Sequence, residues 1–545
     1  MVYNVIRSHQ RRRNETRSNG RTAHPLPVIA IVCAALVSSL FLLDSYCCLL
    51  TQAKVTGTTP DATDSKKRYQ EKKKELQSAD AALRFDANIR LNAQEKRLDK
   101  HLLSLRRALL AKYKKEKRFP PSEPFFAVKE EIKQTPLFHF LRGMPKGGLL
   151  HIHTSSTAPS EWVVTEGIRE PNCYVCWPKD RGKTIKGQLG FFRPGQVPDG
   201  YQAAADLIRQ DPTWPKKLQK LITINVDDAE LTNLEIRTKF DQVFQRMGGL
   251  VSFQPIFEKY YTAAFRTLLD DNIFYVEMRT GFGQLYDLAG KRYDYKRKTA
   301  LLWKVRNEVR KQNPHFELKL IYSGYRRGAK KQVWTQLTEA VELRKSWSAH
   351  NFVVGFDLVG QEDAGYATEF YLPDWIKLQR YLKERKATLP LYFHDGESDW
   401  PSDENLYDAY LLGCKRVGHG FNLFRFPALE QRLKKHGVAL EVCPISNQML
   451  GLVDDLRIHP ASGYLRRGVP CVLGNDDPGI LGNNGLSYDF WEATMAWGLD
   501  LAALKQLAIN SLQYSSMTDA EKKAALAHWE SEWQRWVDQS VKEIP

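Results

Sequence analysis

Short apolar runs alternate with longer amphipathic segments over most of this chain, and this alternation constrains the fold more than any other feature. Eight runs are long enough to form strands: GGLLHIH, IFYVEMR, LKLIYS, FVVGFDLVG, LPLYFHDGE, RVGHG, VALEVCP and VPCVLGNDD. Segments with helical spacing lie in most of the gaps, for example KTALLWKVRNEVRKQ and PDWIKLQRYLKERKA. Strands that alternate with helices are typical of a parallel α/β fold, and the number of strands favours a (β/α)8 TIM barrel.

Two regions depart from this alternation. Residues 165–220 are dominated by Gly, Pro and charged residues, and we interpret them as an insertion after the first strand. Residues 51–118 are predicted to form a charged linker and N-terminal helices, which the sequence RFPPSEPFF ends. We therefore expect the barrel to occupy residues 119–545 and to follow an N-terminal helical extension.

The first 50 residues indicate export from the cytoplasm. Residues 1–26 form a basic leader, and residues 27–50 contain an apolar stretch of about 17 residues, which is close to the minimum for a spanning helix. The segment fits a cleaved signal peptide and an uncleaved signal anchor equally well. Positive charge keeps the leader cytoplasmic, so the barrel is expected to be secreted, or anchored to a membrane on its extracellular or lumenal side.

The charge of the chain is strongly basic but unevenly placed. Lys and Arg number 80 against 63 acidic residues, which gives a formal net charge of +17, and the excess lies mainly in residues 1–26 and 66–118. Aromatic residues for base stacking do not alternate with this charge, which argues against a nucleic acid partner. A basic appendage could instead contact an anionic surface or a receptor.

The cysteines do not form a disulfide framework. Of the eight in the chain, Cys173, Cys176, Cys414, Cys443 and Cys471 lie outside the apolar leader, and an odd number cannot all pair. The sequence CYVC at 173–176 is compatible with a local bridge or with free thiols. No second CxxC completes a zinc site of the finger type.

Residues capable of chemistry stand at or near the ends of most of the apolar runs. His151 and His153 close the first run, and side chains two residues apart on a strand face the same way. In a barrel, such strand ends converge at one mouth. The other candidates are Glu277, Arg279, Asp357, Gly360, Glu362, His394, Glu397, His419, Asp476 and Asp477. Imidazoles and a carboxylate from separate strands are the ligand set of a hydrolytic zinc site, in which zinc lowers the pKa of water to about 7.

Five motifs then carry a family resemblance. MPKGGLLHIH, FHDGE, RVGHG, EVCPISN and NDDPG, in this order, resemble the adenosine deaminases of the amidohydrolase superfamily, and most closely their secreted growth-factor branch. The resemblance covers roughly residues 80 to 540 and includes FPPSEPFF, the CYVC insertion, GFDLVGQEDAG, DLRIHP and GLSYDFWE. It implies hydrolytic deamination of adenosine or 2′-deoxyadenosine to the inosine product and ammonia, in extracellular purine metabolism or signalling.

The resemblance also implies a role for each site residue. Glu397 is expected to protonate purine N1, and His419 to act as the base beside the attacking water. Asp477 and the backbone at Gly360 are expected to hold other edges of the purine. One zinc ion per subunit is implied, together with a homodimer formed through the N-terminal helices. The implied metal ligands are His151, His153, His394 and Asp476.

The chain departs from this branch where the sugar should bind. Thr154 follows His153 where an acidic ribose contact is expected, and Arg237 and Tyr325 replace an expected tryptophan and histidine. FHDGE also places Asp395 where alanine is usual. We interpret these changes as altered recognition beyond the purine, with Arg237 as a contact for an anionic group such as a phosphate.

Alternative interpretations remain for the function and for several residues. The chain could deaminate a modified or phosphorylated adenine nucleoside, or act as a growth-factor-like binding protein with residual activity. Glu277 and Arg279 are expected to form a structural ion pair below the mouth, and Asp357 to support a ligand or to fix a loop. His436, His459 and His528 lie outside the five motifs and are predicted to be surface residues.

Overall fold

A computed structural model describes residues 62–178 and 185–544 of the chain. The predicted leader, the apolar segment and residues 51–61 lie outside the described residues. Contacts between residues divide the chain into two units, residues 1–77 and residues 78–545. No helix in the two described ranges has both the length and the apolar composition needed to cross a bilayer.

All eight predicted runs form parallel strands, numbered here β1 to β8. The strands form two four-stranded sheets, in which β1 to β4 and β5 to β8 pair in sequence order. Isolated bridges at Phe356–Leu391 and Ile152–Asp476 connect the sheets, so the hydrogen-bonded barrel is not fully closed. The strands are Gly147–His153, Ile273–Thr280, Glu317–Tyr325, Val353–Val359, His394–Asp395, Arg416–His419, Ala439–Val442 and Cys471–Leu473.

Helices occupy the connections between strands, as expected for strands that are buried on both faces. Their apolar side chains and those of the strands form one large core. In chain order, the helices are α1 (Ala62–Leu83), α2 (Ala93–Glu116), α3 (Phe125–Lys133), α4 (Pro136–Gly143), α5 (Ser160–Thr165), α6 (Ala204–Gln210), α7 (Trp214–Leu221), α8 (Asn233–Val251), α9 (Gln254–Leu269), α10 (Tyr295–Gln312), α11 (Lys330–Ser346), α12 (Leu372–Arg385), α13 (Asn405–Leu411), α14 (Pro427–His436), α15 (Pro444–Met449), α16 (Ala461–Arg467), α17 (Pro478–Leu481), α18 (Ser487–Trp497), α19 (Leu501–Gln513) and α20 (Asp519–Glu543).

The predicted insertion after β1 contains a small sheet of its own. Its central strand, Cys173–Cys176, pairs in antiparallel fashion with Leu189–Phe191 and Tyr201–Ala203. Both cysteines of this strand are buried free thiols, which decides between the two alternatives left open by the sequence. A short hairpin of Leu285–Tyr286 and Arg292–Tyr293 follows β2.

The helical extension from α2 onwards packs against the barrel. A capping box begins α2, because the Asn92 side chain accepts from the backbone N–H of Glu95 and the Glu95 carboxylate accepts from Asn92 N. The same carboxylate also accepts hydrogen bonds from Trp533 on α20 and Lys505 on α19, each at 2.7 Å. One buried acid therefore fixes the start of α2 and connects it to the last two helices.

Candidate active site

The four residues implied as metal ligands meet at the mouth of the barrel. His151 and His153 lie on β1, His394 begins β5, and Asp476 follows β8. Their ligand atoms all lie within 4.8 Å of one another. His153 Nε2 is 3.2 Å from His394 Nε2 and 3.1 Å from Asp476 Oδ1, and His151 Nε2 is 3.2 Å from the same oxygen. The fold thus brings together three imidazoles and one carboxylate from three different strands.

This donor set fits a zinc ion. Nitrogen and carboxylate ligands that leave one position open are those of hydrolytic zinc sites. Nε2 of His151 is buried and has no hydrogen-bond partner among the described residues, whereas buried polar atoms normally have one. The lone pair of His151 Nε2 faces Asp476 and the other candidate ligands, so a cation bound among them would give this nitrogen its missing partner.

Two buried carboxylates orient the ligand imidazoles. Glu441 is 2.8 Å from Nδ1 of His151, and Asp357 is 2.7 Å from Nδ1 of His394. Each imidazole therefore donates its Nδ1–H away from the centre and keeps the Nε2 lone pair facing it. Arg279 donates to both carboxylates. Burial would raise the pKa of Asp357, but His394 and Arg279 hold it below its usual value.

The backbone around Asp476 is held in an unusual conformation. Asp476 and His419 have φ values of 60° and 62°, in the left-handed region that side-chain-bearing residues seldom adopt. Hydrogen bonds from Asp476 N to His151 O and from His153 N to Asp476 O join this segment to β1. The Ser446 hydroxyl donates to Asp476 Oδ2 at 2.7 Å. The strained backbone is thus fixed from two sides, and the carboxylate keeps its direction.

A second group of potential ligands shares Asp476. Donor atoms of His419, Cys443 and Asp476 also lie within 4.8 Å of one another. Burial raises the pKa of the Cys443 thiol well above its usual value, which disfavours the thiolate that binds metals. The set of three imidazoles and a carboxylate is therefore the better metal centre.

Glu397 and His419 lie beside this centre, where the resemblance places the acid and the base. Glu397 Oε1 is 3.6 Å from His419 Nε2, which is itself 3.9 Å from Asp476 Oδ2. Burial, and then the charge of Asp476, raises the pKa of Glu397 to about 7. Burial lowers the pKa of His419 to about 4. Near neutral pH the imidazole of His419 is thus neutral, and Glu397 is available in both its protonated and its ionised form.

The carboxylate of Glu362 fixes the loop that carries Glu397. It accepts hydrogen bonds from the backbone N–H groups of Gly396 at 3.0 Å and Glu397 at 2.6 Å, and from the side chain of Asn405 at 2.6 Å. Beside these amides, Asp395 points away from the mouth and contacts Arg326 and Thr368. The unusual Asp395 therefore belongs to a buried ion pair and does not contact the metal centre.

The remaining sequence candidates surround one cavity of about 1070 Å³. Asp477 accepts a hydrogen bond from Ser156, and burial raises its pKa to about 7. Arg237 donates to Leu450 O at 2.9 Å and lies 3.4 Å from Asp363, so part of its charge is already paired. The cavity reaches the metal centre and is lined by, among others, His153, Thr154, Ser155, Arg237, Lys298, Tyr325, Gly360, His394, Glu397, His419, Asp476 and Asp477.

Two sequence predictions about neighbouring residues are wrong. Glu277 and Arg279 do not pair with each other, because Glu277 pairs with Arg416 at 2.6 Å and Arg279 with Asp357. His459 is buried rather than exposed, and its Nε2 is 3.1 Å from Asn447, which in turn contacts His419. His528, predicted to be a surface residue, is partly exposed and stacks on the imidazole of His315.

Glu441 supports a ligand, and the sequence analysis gave it no role. It is the third residue of β7 (Ala439–Val442), and a single carboxylate inside the apolar run VALEVCP was the available signal. His459 likewise stood within a motif of the family resemblance, DLRIHP, without an assigned role.

Eight parallel strands with a cluster of histidine and aspartate candidate metal ligands at their carboxyl ends are typical of the metal-dependent hydrolases of the amidohydrolase type. The sequence profile of adenosine deaminase matches residues 299–530, and the profile described as adenosine/AMP deaminase N-terminal matches residues 36–141. Adenosine deaminase 2 of Pongo abelii is 32% identical over 477 residues, which are 84% of this chain and 90% of that protein. Adenosine deaminase 2-A of Danio rerio is 34% identical over 494 residues, 86% of this chain and 94% of that protein. The chain belongs to the adenosine deaminase family.

Solved structures with low sequence identity share the fold. Arabidopsis ADAL, solved with IMP, is 17% identical with a TM-score of 0.53, over 73% of this chain and 99% of that one. An amidohydrolase from Burkholderia ambifaria, solved with bound zinc, is 17% identical with a TM-score of 0.52, over 78% of this chain and 100% of that one. These similarities agree with the barrel assigned from the strand order.

Proposed function

We propose that this chain is an adenosine deaminase that hydrolyses adenosine or 2′-deoxyadenosine at C6 and releases ammonia. The observation that carries the proposal is the cluster of four metal-ligand candidates, three of which (His153, His394 and Asp476) line one cavity together with Glu397 and Asp477. Similarity to proteins named adenosine deaminase 2 over 84% or more of the chain supports the same substrate. The residue roles below are proposed from the geometry and from the resemblance.

The side chains of the site divide the reaction between them. Zinc held by the three imidazoles and Asp476 would supply Lewis-acid activation of water near neutral pH. Glu397, whose pKa of about 7 keeps its protonated form available at neutral pH, donates a proton to purine N1 and makes C6 electrophilic. His419 faces the same space and orients the attacking water. Asp477 and the backbone at Gly360 hold the purine at its other edges.

Ammonia release from adenosine by the purified full chain tests this function. Glu397→Gln removes the proton donor but keeps the shape, so kcat is expected to fall by about 10²–10⁴-fold with the zinc content unchanged. Glu384→Gln, the same change at an exposed residue of α12, serves as the matched control and is expected to behave as wild type. A Glu397→Gln enzyme with wild-type kcat would contradict the proton-donor role.

Metal analysis tests the zinc proposal separately. We expect one zinc ion per chain, loss of turnover on dialysis against a chelator, and recovery on adding zinc. Turnover that survives removal of all metal would overturn this part of the proposal, whatever the outcome for Glu397.

A phosphorylated adenine nucleoside is the second candidate substrate, and Lys298 favours it. Lys298 lines the cavity, is only 8% exposed, and donates one hydrogen bond, to Gly281 O. Burial alone lowers the pKa of Lys298 to about 8, with no carboxylate of the described residues raising it, although an ammonium group has three donors and an unpaired buried charge is costly. Lys298 is therefore a better anion contact than Arg237, which already faces Asp363.

Kinetics with adenosine and adenosine 5′-phosphate separate the two candidates. If Lys298 binds the phosphate group, Lys298→Met should lower kcat/KM for adenosine 5′-phosphate by about 10–100-fold relative to kcat/KM for adenosine. This factor corresponds to the loss of one charge-assisted hydrogen bond. Lys304→Met, an exposed lysine of the same helix that pairs with Glu258, is the control. A wild-type enzyme that neither turns over adenosine 5′-phosphate nor is inhibited by it would exclude this candidate.

We also propose that the chain is exported and forms a homodimer through its N-terminal helices. The basic leader and the apolar stretch that follows it support export. On α1, the exposed residues Tyr69, Leu76 and Leu83 repeat at heptad spacing and so lie on one face of the helix. Light scattering of the full chain is expected to give the mass of two chains, and Leu76→Lys the mass of one. A monomeric wild type would contradict the dimer.

A further inference from the structure

A chain of buried side chains leads from the backbone to His419. His459 Nδ1 is 3.1 Å from Ala461 N, and His459 Nε2 is 3.1 Å from Asn447 Oδ1. Asn447 Nδ2 is in turn 3.2 Å from His419 Nδ1. His459, Asn447 and His419 are 3%, 1% and 2% exposed, so water does not compete for these contacts. The resemblance and the metal centre assign no role to His459 or Asn447.

The direction of every hydrogen bond in this chain follows from its first member. A backbone N–H can only donate, so His459 Nδ1 must accept from Ala461. A neutral imidazole then carries its proton on Nε2, which donates to the amide oxygen of Asn447. The amide nitrogen therefore faces His419, whose Nδ1 accepts and whose own proton lies on Nε2. Burial lowers the pKa of His459 to about 3, which agrees with the neutral form.

Aromatic contacts hold the first histidine in place. The ring of His459 lies edge-on to Phe421 at 5.2 Å between centroids, and 5.4 Å from the ring of Trp497. The indole of Trp497 is itself fixed by a hydrogen bond to Leu456 O at 2.8 Å. Rotation of the His459 ring, which would break the chain of hydrogen bonds, is therefore opposed by packing on two sides.

We propose that His459, acting through Asn447, holds His419 as the tautomer protonated on Nε2, so that His419 meets the substrate as a hydrogen-bond donor. His419 Nε2 is buried and has no partner among the described residues, while Glu397 and Asp476 lie 3.6 and 3.9 Å away. A donor at this position stabilises negative charge on the oxygen that attacks C6. His459 and Asn447 are positioning residues, and His419 acts as a donor and not as the base that the resemblance implies. The catalytic consequence depends on the deaminase function proposed above, whereas the tautomer does not.

Asn447→Asp is the sharpest test, because it keeps the shape and reverses the last hydrogen bond. A carboxylate still accepts from His459 Nε2–H, but it can only accept from His419, which moves the proton of His419 to Nδ1. We expect kcat for adenosine to fall by about 10²–10³-fold, the range measured when a donor to a developing oxyanion is removed. Zinc content and the inhibition constant of inosine are expected to change by less than about threefold.

Two variants of His459 separate orientation from packing. His459→Gln keeps an N–H group that can reach Asn447, and it is expected to keep most of the wild-type activity. His459→Leu fills similar space without a donor, which frees the Asn447 amide to turn over, and kcat is expected to fall by at least about tenfold. Wild-type kcat in Asn447→Asp, or equal losses in the two His459 variants, would overturn the proposal.

A spectroscopic measurement keeps the tautomer testable on its own. In NMR spectra of the ¹⁵N-histidine-labelled full chain, the signals of His419 are assigned as those that disappear in His419→Gln. The Nε2 of His419 should then show the ¹⁵N chemical shift of a protonated ring nitrogen. If adenosine is not deaminated, the proposed function fails, and this shift still decides the tautomer. A protonated Nδ1 in the wild type would refute the inference directly.

Discussion

Asp357→Asn tests how far the metal centre depends on the carboxylates behind it. The Asp357 carboxylate accepts from His394 N at 2.9 Å, from His394 Nδ1 at 2.7 Å and from Arg279 Nε at 2.6 Å. The amide of asparagine has one oxygen, so at least one of the donors must face an NH₂ group. If the NH₂ faces His394 Nδ1, the imidazole moves its proton to Nε2 and loses the lone pair that would bind zinc.

The expected magnitudes follow from these contacts. Loss of one charge-assisted hydrogen bond costs about 1.5–3 kcal/mol, and the remaining bonds weaken by about 1 kcal/mol each without the charge. The sum, about 3.5–5 kcal/mol, agrees with the cost of removing one partner of a buried ion pair. Zinc affinity is expected to fall by about 10–100-fold, as is usual when the support of a ligand histidine is changed.

Two measurements on the purified variant read these quantities independently. Competition with a chelator of known affinity gives the zinc dissociation constant, and urea unfolding of the metal-free chain gives the free energy of unfolding. Asp271→Asn is the matched control, because Asp271 is also buried and accepts hydrogen bonds from the backbone of Leu486 and Ser487 rather than from a candidate metal ligand. It should lose stability with unchanged zinc affinity.

One result would refute the reasoning. If Asp357→Asn and Asp271→Asn both bound zinc as tightly as wild type, the Asp357 carboxylate would act only as a structural ion-pair partner and would not support zinc binding by His394. A loss of zinc affinity in both variants would instead show that general destabilisation weakens the site.

Two further predictions concern the C-terminal helix α20. His528 stacks on His315 with 3.7 Å between ring centroids, and burial and then His315 lower its pKa. Because the folded-state pKa lies below the unfolded value of about 6.5, the stabilisation from the neutral stack is complete above that value and is lost as the pH falls below it. The difference in Tm between wild type and His528→Gln should therefore shrink from pH 8 to pH 5, and a difference that grew would contradict the assignment. Trp529 is 1% exposed and donates a hydrogen bond to Pro145 O at 3.1 Å. Trp529→Ala should therefore lower the free energy of unfolding, measured in urea, by about 3–5 kcal/mol. A loss below about 1 kcal/mol would show that α20 does not pack firmly against the barrel.

Much of the fold could be predicted because local patterns report it directly. The eight apolar runs predict β1 to β8 in the correct order, since strands buried on both faces must be apolar along most of their length. The two small sheets were not predicted. Their strands, such as Leu285–Tyr286, are only two to four residues long, too short to show a period.

The partners of charged residues could not be predicted, because pairing across a barrel depends on which strands become neighbours. Glu277 and Arg279 stand two residues apart and suggest a pair, yet their side chains bond to Arg416 and to Asp357 from other strands. His459 lies in a loop sequence that looks exposed, and only its packing against Phe421 and Trp497 makes it part of the site.

The sequence by itself determined the strand order, the family and the residues capable of chemistry, because these depend on composition and spacing along one chain. The tertiary structure alone decided that His151, His394 and Asp476 bring their ligand atoms within 4.8 Å of one another, that Asp395 faces away from this cluster, and that the amide of Asn447 connects a buried histidine to His419. The physical reason is that hydrogen-bond direction and ligand distance depend on side chains from distant strands, whose relative position is set only when the barrel packs around its core.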